Sequence, residues 1–454
     1  MKSGYFFVFC LVLLFGFFGM SKSVGAMERD GVSGGSGDVN PPAKAFDFER
    51  ALGLKFSGDI IFRTEYFVQT QDYAPTYVTT PVLWLDHEFR FRLRGRFGME
   101  KVFGEEATAG LRFSTGNGMD PADPYLTLTN GSNSKSVFLD RLNIVWTPGF
   151  FDHQLSLALG KMPNPLAFSP ITWDEDISPE GAAITYEPLK DARITALYGL
   201  MQENGPATIE GNGVDLFIFN FQFQQKIKVS NADISLTAGY EYVPNVSAYI
   251  TPGEPGFAVY TAIPSNPPGA PLSITSKGMV GDLSQGGLIP DINMVEGILN
   301  ISHKVGEEKI PVLWTFHGVF NLTSFNIAPS TNANVAVNNP KLILNNNLAL
   351  FARVGVGEIV RRGDFAGSFE WGYIEPNAVF SAFSDSDSGV GHNNNTWFKG
   401  MVGTGIADGI SLSVVQYMDW RVNYDVMGTT ASNVVGTTSR APVLRTQIDL
   451  AAKF

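Results

Sequence analysis

Four arginines stand at alternate positions, Arg90, Arg92, Arg94 and Arg96, within the stretch WLDHEFRFRLRGRFGM (84–99). Phe89, Phe91, Leu93 and Phe97 occupy the other parity, with Gly95 among them. Side chains of a strand point alternately to opposite faces, so the segment has one apolar face and one column of guanidinium groups. At about 3.4 Å per residue the column runs roughly 20 Å. Arginine keeps its charge at any accessible pH, so one face needs something apolar and the other water, acids or anions. A water-filled barrel in lipid supplies both, with the arginines inside, because an arginine at mid-membrane facing lipid costs about 2–4 kcal/mol. Partners for the guanidiniums are expected from Asp59 and Glu65 on the preceding strand and from Glu106 after the next turn. Lys55, Asp59 and Arg63 share the parity that would line the same pore. Such a column either forms a positive wall that sets ion preference or a salt-bridged wall that stiffens the barrel.

The stretch Lys161–Glu180 carries a second set of charges, Lys161, Asp174, Glu175, Asp176 and Glu180. The other chemistry-bearing residues are sparse. His87 has the parity of Leu85 and Phe89, with no serine beside it on its strand. His317 lies on the polar parity near Thr315 and reads as a pore-lining polar residue. A serine hydrolase would need a hydroxyl within hydrogen-bond reach of such a histidine. Asp385-Ser386-Asp387-Ser388-Gly389 has the oxygen-rich spacing of a calcium loop but lacks the rest of the twelve-residue pattern. No phosphate-cradling glycine loop or zinc spacing is present. The chain is read as a non-enzyme without cofactor or metal.

The elements that must position these residues show the same alternation. Leu54, Phe56, Ile60, Phe62 and Tyr66 oppose Lys55, Asp59, Arg63 and Glu65, with Ile61 as an exception. Phe217, Phe219, Phe221 and Phe223 oppose Asn220 and Gln222. Trp314, Phe316, Phe320 and Leu322 oppose Thr315, His317 and Asn321. About 16 segments have the length of a tilted membrane strand; those near Glu106–Thr115, Gly181–Glu187 and Asn293–Lys304 alternate least clearly. Short connections (near Gly98–Glu105, Pro148–His153, Pro188–Ala192, Lys226–Asn231, Val305–Lys309, Arg361–Asp364 and Ala407–Gly409) alternate strictly with long ones. The long ones lie near Thr70–Leu83, Gly116–Lys135, Lys161–Glu180, Gln202–Gly213, Pro244–Asp291, Asn326–Asn345, Glu375–Asn394 and Asn423–Ala441. A soluble sandwich has no reason to sort its loops this way, whereas an outer-membrane barrel has short periplasmic turns and long extracellular loops. The expected fold is therefore all-β: a transmembrane, antiparallel, up-and-down barrel over residues 51–454.

The beginning of the chain reads as a signal peptide over residues 1–26, with Lys2, an apolar run from Tyr5 to Phe18 and Val24-Gly25-Ala26. It contains the one cysteine, Cys10, so thiol chemistry and disulfides are excluded downstream. Residues 27–50 read as a flexible leader. Without Lys2 and Lys22 the balance is 30 basic against 44 acidic residues, a formal charge of −14, which argues against nucleic-acid binding. The 35 Phe are dispersed by alternation rather than gathered into runs, as in membrane barrels.

The run Leu159–Tyr186, LGKMPNPLAFSPITWDEDISPEGAAITY, resembles the putative-porin family of Gram-negative outer membranes through Gly160, Lys161, Asn164 and Pro165, then Trp173, Asp174 and Asp176, then Pro179, Glu180 and Gly181. FLDRLNIVW (138–146) and EPNAVFSAFSDSD (375–387) are also similar to that family. The last segment ends on Phe454, and a terminal aromatic closing an alternating strand resembles the signal read by the outer-membrane insertion machinery, although Ala452 stands where that pattern has a second aromatic. The resemblance implies an outer-membrane porin passing small hydrophilic solutes or ions by diffusion, a homotrimer, and a third long loop folded into the lumen as a constriction. An acidic loop there would set a transverse field against the arginine wall; the alternative is a loop turned outward into water. Residues 27–50 are too short for the coiled-coil segment many such members carry. Two other functions stay open on the residues alone. One is a channel selective for anions such as phosphate or acidic sugars; the other is an adhesin or receptor barrel whose long loops, especially Pro244–Asp291, bind an external partner.

Overall fold

The computed structural model describes residues 53–73, 82–116, 122–128, 132–202, 216–244, 291–307, 309–323, 347–375, 378–380, 383–388, 393, 395–422 and 442–454. The stretches read as signal peptide (1–26) and leader (27–50), and most of the long connections near residues 70–83, 202–213, 244–291, 326–345 and 423–441, lie outside these residues.

The strands are β1 (Leu54–Tyr73), β2 (Val82–Phe103), β3 (Ala107–Thr115), β4 (Leu126–Thr127), β5 (Val137–Trp146), β6 (Leu155–Lys161), β7 (Glu180–Leu189), β8 (Ala192–Gln202), β9 (Leu216–Val229), β10 (Ala232–Val243), β11 (Ile292–Val305), β12 (Ile310–Asn321), β13 (Leu348–Gly357), β14 (Phe365–Ile374), β15 (Asn395–Ala407), β16 (Ile410–Arg421) and β17 (Val443–Lys453). The three weakly alternating segments are strands β3, β7 and β11. Consecutive spanning strands pair antiparallel, and β17 pairs with β1 from Asp59 opposite Lys453 to Gln69 opposite Val443. The sheet thus closes into a barrel of 16 spanning strands. β4 is the exception: two residues of the second long connection laid beside Arg92 and Leu93 of β2.

Closure satisfies every strand edge, as lipid demands. At the seam Gly58 N–H donates to the Phe454 carbonyl at 2.9 Å and receives the reciprocal bond at 3.1 Å. Only glycine fits at residue 58, since a Cβ would lie 2.4 Å from the Arg96 carbonyl oxygen and 2.6 Å from the Phe454 ring. Phe454 itself is exposed on the outer surface.

The alternation sorts the faces as its periodicity predicts. Phe89 is 58% and Phe91 53% exposed, whereas Arg92, next along the strand, is 7% exposed. Phe219, Phe221 and Phe223 are exposed while Asn220 and Gln222 are buried. Ile61, the exception on β1, packs against Tyr125 and Ala451 on the buried side. All seven short connections join adjacent strands, tightest at the two-residue turns Lys190-Asp191, Ser230-Asn231 and Asp408-Gly409.

The buried apolar residues form a cluster within the barrel. Met162, Leu166, Ile171, Trp173 and Ile177 of the third long connection meet Val379, Phe380 and Phe383 of the connection after β14, together with side chains of β7 to β15 such as Leu197, Ile218, Val319 and Trp397.

Candidate functional site

Register brings charged side chains of β17, β1 and β2 into one patch. Asp59 lies opposite Arg96 and Lys453, Arg63 opposite Arg92 and Asp449, and Glu65 opposite Arg90 and Gln447. Arg63 grips Asp449 with two bonds, Nε to Oδ1 at 2.8 Å and Nη2 to Oδ2 at 2.9 Å. Glu65, fully buried, accepts from Arg90 and from Gln447 Nε2 at 2.9 Å, with Arg92 Nη1 at 3.9 Å. Arg94 Nε donates to Asp59 Oδ1 at 2.9 Å. Asp59 and Glu65 therefore partner the column as anticipated. Glu106 does not. It sits at a short turn, accepting from Gly149 N at 3.1 Å and Trp146 Nε1 at 3.4 Å, because the β2–β3 turn carries it beyond reach of the arginines. Lys55 is exposed near the short-turn end of β1, opposite Glu100.

Three connections supply the remaining partners. From the second, Asp123 binds Arg92, whose Nη2 also donates to the Tyr125 carbonyl at 3.1 Å. The Tyr125 ring lies under Arg63, 3.9 Å from centroid to Cζ, with Arg92 and Arg94 at 5.4 and 5.3 Å. From the third, Asp176 Oδ1 accepts from Arg96 Nη2 at 2.7 Å and lies 3.6 Å from Arg94 Nη1. From the connection after β14, Asp387 lies 3.1 Å from Arg63 and 2.9 Å from Arg445.

The third connection bends at its base. Gly160 and Gly181 face each other across β6 and β7 with φ of 107° and 145°. A Cβ at these positions would lie 2.3 Å from the Leu142 carbonyl and 2.1 Å from the Tyr198 carbonyl. Lys161 and Glu180 close the base at 2.6 Å. Asn164 Oδ1 caps the Leu166 amide at 3.0 Å, and the Pro179 carbonyl accepts from Met162 at 2.9 Å. The family-like positions are thus the ones that shape this segment.

Its acids do different work. Asp176 faces the arginines in direct contact rather than across a gap, so at that point the two charges neutralise each other instead of setting a field. Glu175 is exposed. Asp174 is 1% exposed and accepts the Ser386 amide at 2.9 Å and the Asp176 amide at 2.8 Å. Burial, together with the charges of Asp385 and Asp176, holds its carboxyl well above the usual range.

The segment 383–388 is the part sequence reasoning did not connect to the site. Phe383 stacks on Trp173, centroids 4.3 Å apart at 12°, and its carbonyl accepts from Asp174 N at 2.6 Å. Asp385 N donates to the Pro170 carbonyl at 2.9 Å. Asp385 also accepts from Ser388 Oγ at 2.6 Å and from Asp387 N at 3.0 Å. Burial pushes the Asp385 carboxyl up to about 6, with Lys399 opposing and Asp387 reinforcing the shift. Burial would also raise Asp387, but Arg445 and then Arg63 outweigh it and hold that carboxyl well below the usual range. Its oxygens face two guanidiniums, which opposes the calcium role its spacing suggested.

His317 is 2% exposed and does not line open water. Ser169 Oγ lies 2.8 Å from its Nδ1, and its Nε2 lies 3.0 Å from Glu296 Oε2. Hydroxyl, imidazole and carboxylate stand in the order of a nucleophile relay. Ser169 is only 3% exposed, however, and the trio ties the third connection to β12 and β11. The apolar residues Met162, Leu166, Ile171 and Trp173 in a nominally water-facing loop were the signal that this segment packs inward; Val379, Phe380 and Phe383 were the same signal further on.

A closed antiparallel barrel, apolar outside and charged within, is the architecture of an outer-membrane channel. Residues 55–202 match the family model described as "Putative porin", and the outer membrane is the location that a closed barrel with an apolar outer face defines. Among curated proteins none matches the sequence. Solved structures with a similar fold include OprB of Pseudomonas putida (10% identity, TM-score 0.49, covering 89% of this chain and 95% of that one). OmpF of Salmonella typhi, in complex with daunomycin, is another (9%, 0.46, 88% and 97%), as is the outer-membrane channel DcaP of Acinetobacter baumannii (9%, 0.42, 88% and 97%).

Proposed function

We propose that the protein is a diffusion porin for small hydrophilic solutes. Its lumen is narrowed by the inward segments that carry Asp123, Asp176 and Asp387, which lie directly against the arginine wall of β17, β1 and β2. The carrying observation is the charge balance of that wall. Arg63, Arg90, Arg92, Arg94, Arg96 and Arg445 are matched by Asp59, Glu65, Asp123, Asp176, Asp387 and Asp449. A ladder for phosphate or acidic sugars needs guanidiniums whose donors are free to exchange ligands. Here each of the six is engaged by a carboxylate, and a permeant anion would have to displace an acid already in contact. The balanced wall instead presents fixed dipoles to a solute. Polar molecules recover hydration energy there by hydrogen bonding, while apolar ones lose more than they regain.

Barrels of this size leave an aqueous lumen that loops must narrow, and the third connection is the natural constriction, hinged at Gly160 and Gly181. A homotrimer is the assembly we expect from the family resemblance.

Reconstitution into planar lipid bilayers tests the function. Stepwise KCl conductance with a reversal potential near zero under a salt gradient is the expected result. A strong anion preference that collapses in Arg92→Ala and Arg94→Ala would replace this reading with the ladder, and no conductance at all would remove the channel.

A further inference from the structure

A second group of arginines lies around the barrel from the balanced wall. A half-open cavity of about 440 Å³ lies between Met162–Pro165 of the third connection and residues of β1, β2, β3, β5, β6, β7 and β8. Arg112, Arg141 and Arg193 line it, together with Asn164. Of the three guanidiniums only Arg112 has a carboxylate within ion-pair distance among the described residues, namely Asp140. Arg141 donates to Ser178 Oγ at 3.0 Å, and Arg193 reaches Thr185 Oγ1 at 3.5 Å. Three buried donor atoms here, Arg112 Nη2, Arg193 Nε and Asn164 Nδ2, have no hydrogen-bond partner among the described residues. The cavity's acids, Glu100 and Glu187, are exposed.

The contrast with the other wall is chemical. There every arginine meets a carboxylate; here two of the three meet only hydroxyls, and Arg112 Nη2, Arg193 Nε and Asn164 Nδ2 are left without an acceptor among the described residues. An unmet buried donor costs about 1–3 kcal/mol, more beside a charge. Like-charged arginines also repel: Arg141 feels Arg112 and Arg96, against the opposite charges of Asp140 and Asp176. An anion in the cavity relieves both penalties at once. Guanidinium forks match carboxylates in paired geometry. At about 30 Å³ per water-sized group, the volume holds roughly fifteen such groups, far more than one inorganic phosphate. The donors also arise from separate strands and from the loop, so a ligand must span to satisfy them.

We propose that this cavity binds small organic anions bearing two or more carboxylates, held by Arg112, Arg141 and Arg193 with Asn164 as a further donor. The proposal deepens the channel reading by naming a solute class, and it rests on that reading only for access from water.

Calorimetric titration of the detergent-solubilised full chain at low ionic strength, with citrate, acetate and glucose as probes, tests it. Citrate is expected to bind at least about tenfold more tightly than acetate, and Arg141→Gln or Arg193→Gln to weaken citrate by about tenfold or more, as loss of charged hydrogen bonds implies. Arg353→Gln, on β13 of the far wall, should leave citrate binding unchanged. Citrate binding no tighter than acetate on the unaltered chain overturns the site even if the variants fail to fold. An equal loss in Arg353→Gln also overturns it, by showing a diffuse charge effect. Bilayer conductance of the same preparation separates the two readings: conductance without citrate binding sinks the site alone, and citrate binding without conductance sinks the channel alone.

Discussion

Asp387→Ala is the substitution with the most to reveal, because one carboxylate spans two guanidiniums on different strands. It lies 3.1 Å from Arg63 on β1 and 2.9 Å from Arg445 on β17. Arg63 retains its paired grip on Asp449, whereas Arg445 loses the one carboxylate with which it forms an ion pair among the described residues. Two charge-assisted bonds are removed. The Asp387 side chain is 27% exposed, so water recovers part of the loss, and we expect a cost of about 3–5 kcal/mol to docking of the segment. The damage is local. Phe383 still stacks on Trp173, and Ser386 Oγ still donates to the Ala122 carbonyl at 3.0 Å. The segment therefore stays on the third connection, while its hold on the β1–β17 wall is reduced to the bond from Arg445 to the backbone carbonyl of residue 387. Single-channel recordings should show larger and noisier conductance, with the heat-dependent shift in detergent-gel mobility preserved. Asp387→Asn, which keeps an acceptor but not the charge, should fall between wild type and Asp387→Ala. Unaltered conductance in Asp387→Ala, in a barrel that still shows the heat shift, would refute the claim that this contact narrows the pore.

Lowering the pH should not imitate that variant until strongly acid conditions. The Asp385 carboxyl, raised to about 6, stays ionised at a cost to docking at neutral pH. Its protonation relieves that cost progressively as pH falls through 6 toward the ordinary carboxylate range. Asp387 has the opposite sign: its contribution is complete above the ordinary range and is lost only as pH falls through its depressed value. Conductance should thus hold or fall from pH 7 to 5, and Asp385→Asn should flatten that response. Gly58→Val should lower the temperature of the gel-mobility shift, since overpacking against Arg96 and Phe454 costs about 1–3 kcal/mol; an unchanged shift would show that the seam can yield. His317→Leu should loosen the third connection more than Ser169→Ala, because it also strips buried Glu296 of a partner, at about 1–3 kcal/mol against about 1 kcal/mol. Limited proteolysis between residues 162 and 179 reads the difference.

The faces of the barrel were legible because lipid and lumen impose a two-residue period that no loop disturbs. Phe89 and Arg92 could be assigned to opposite sides from parity alone, and the loop lengths identified the two rims. Partners within a strand or between neighbouring strands followed from register, as with Asp59 and Glu65. Contacts between loops did not. The bond from Arg63 to Asp387 joins residues 324 positions apart, and no periodicity links them. Acids in one loop also cannot be told apart by composition: Asp176 meets arginines while Asp174, two residues earlier, caps backbone amides in an apolar setting. Glu106 failed for a simpler reason. It was judged by proximity in sequence, and the turn that brings a residue near in number can carry it to the wrong rim.

The clasp on Asp387 bears on the order in which the barrel is made. Arg63 belongs to the first strand and Arg445 to the last, and the two come together only when the sheet has closed. An unclosed sheet offers the segment one guanidinium; the finished barrel offers both. Closing the sheet thereby completes the two-sided anchor that holds the inner segment against the seam.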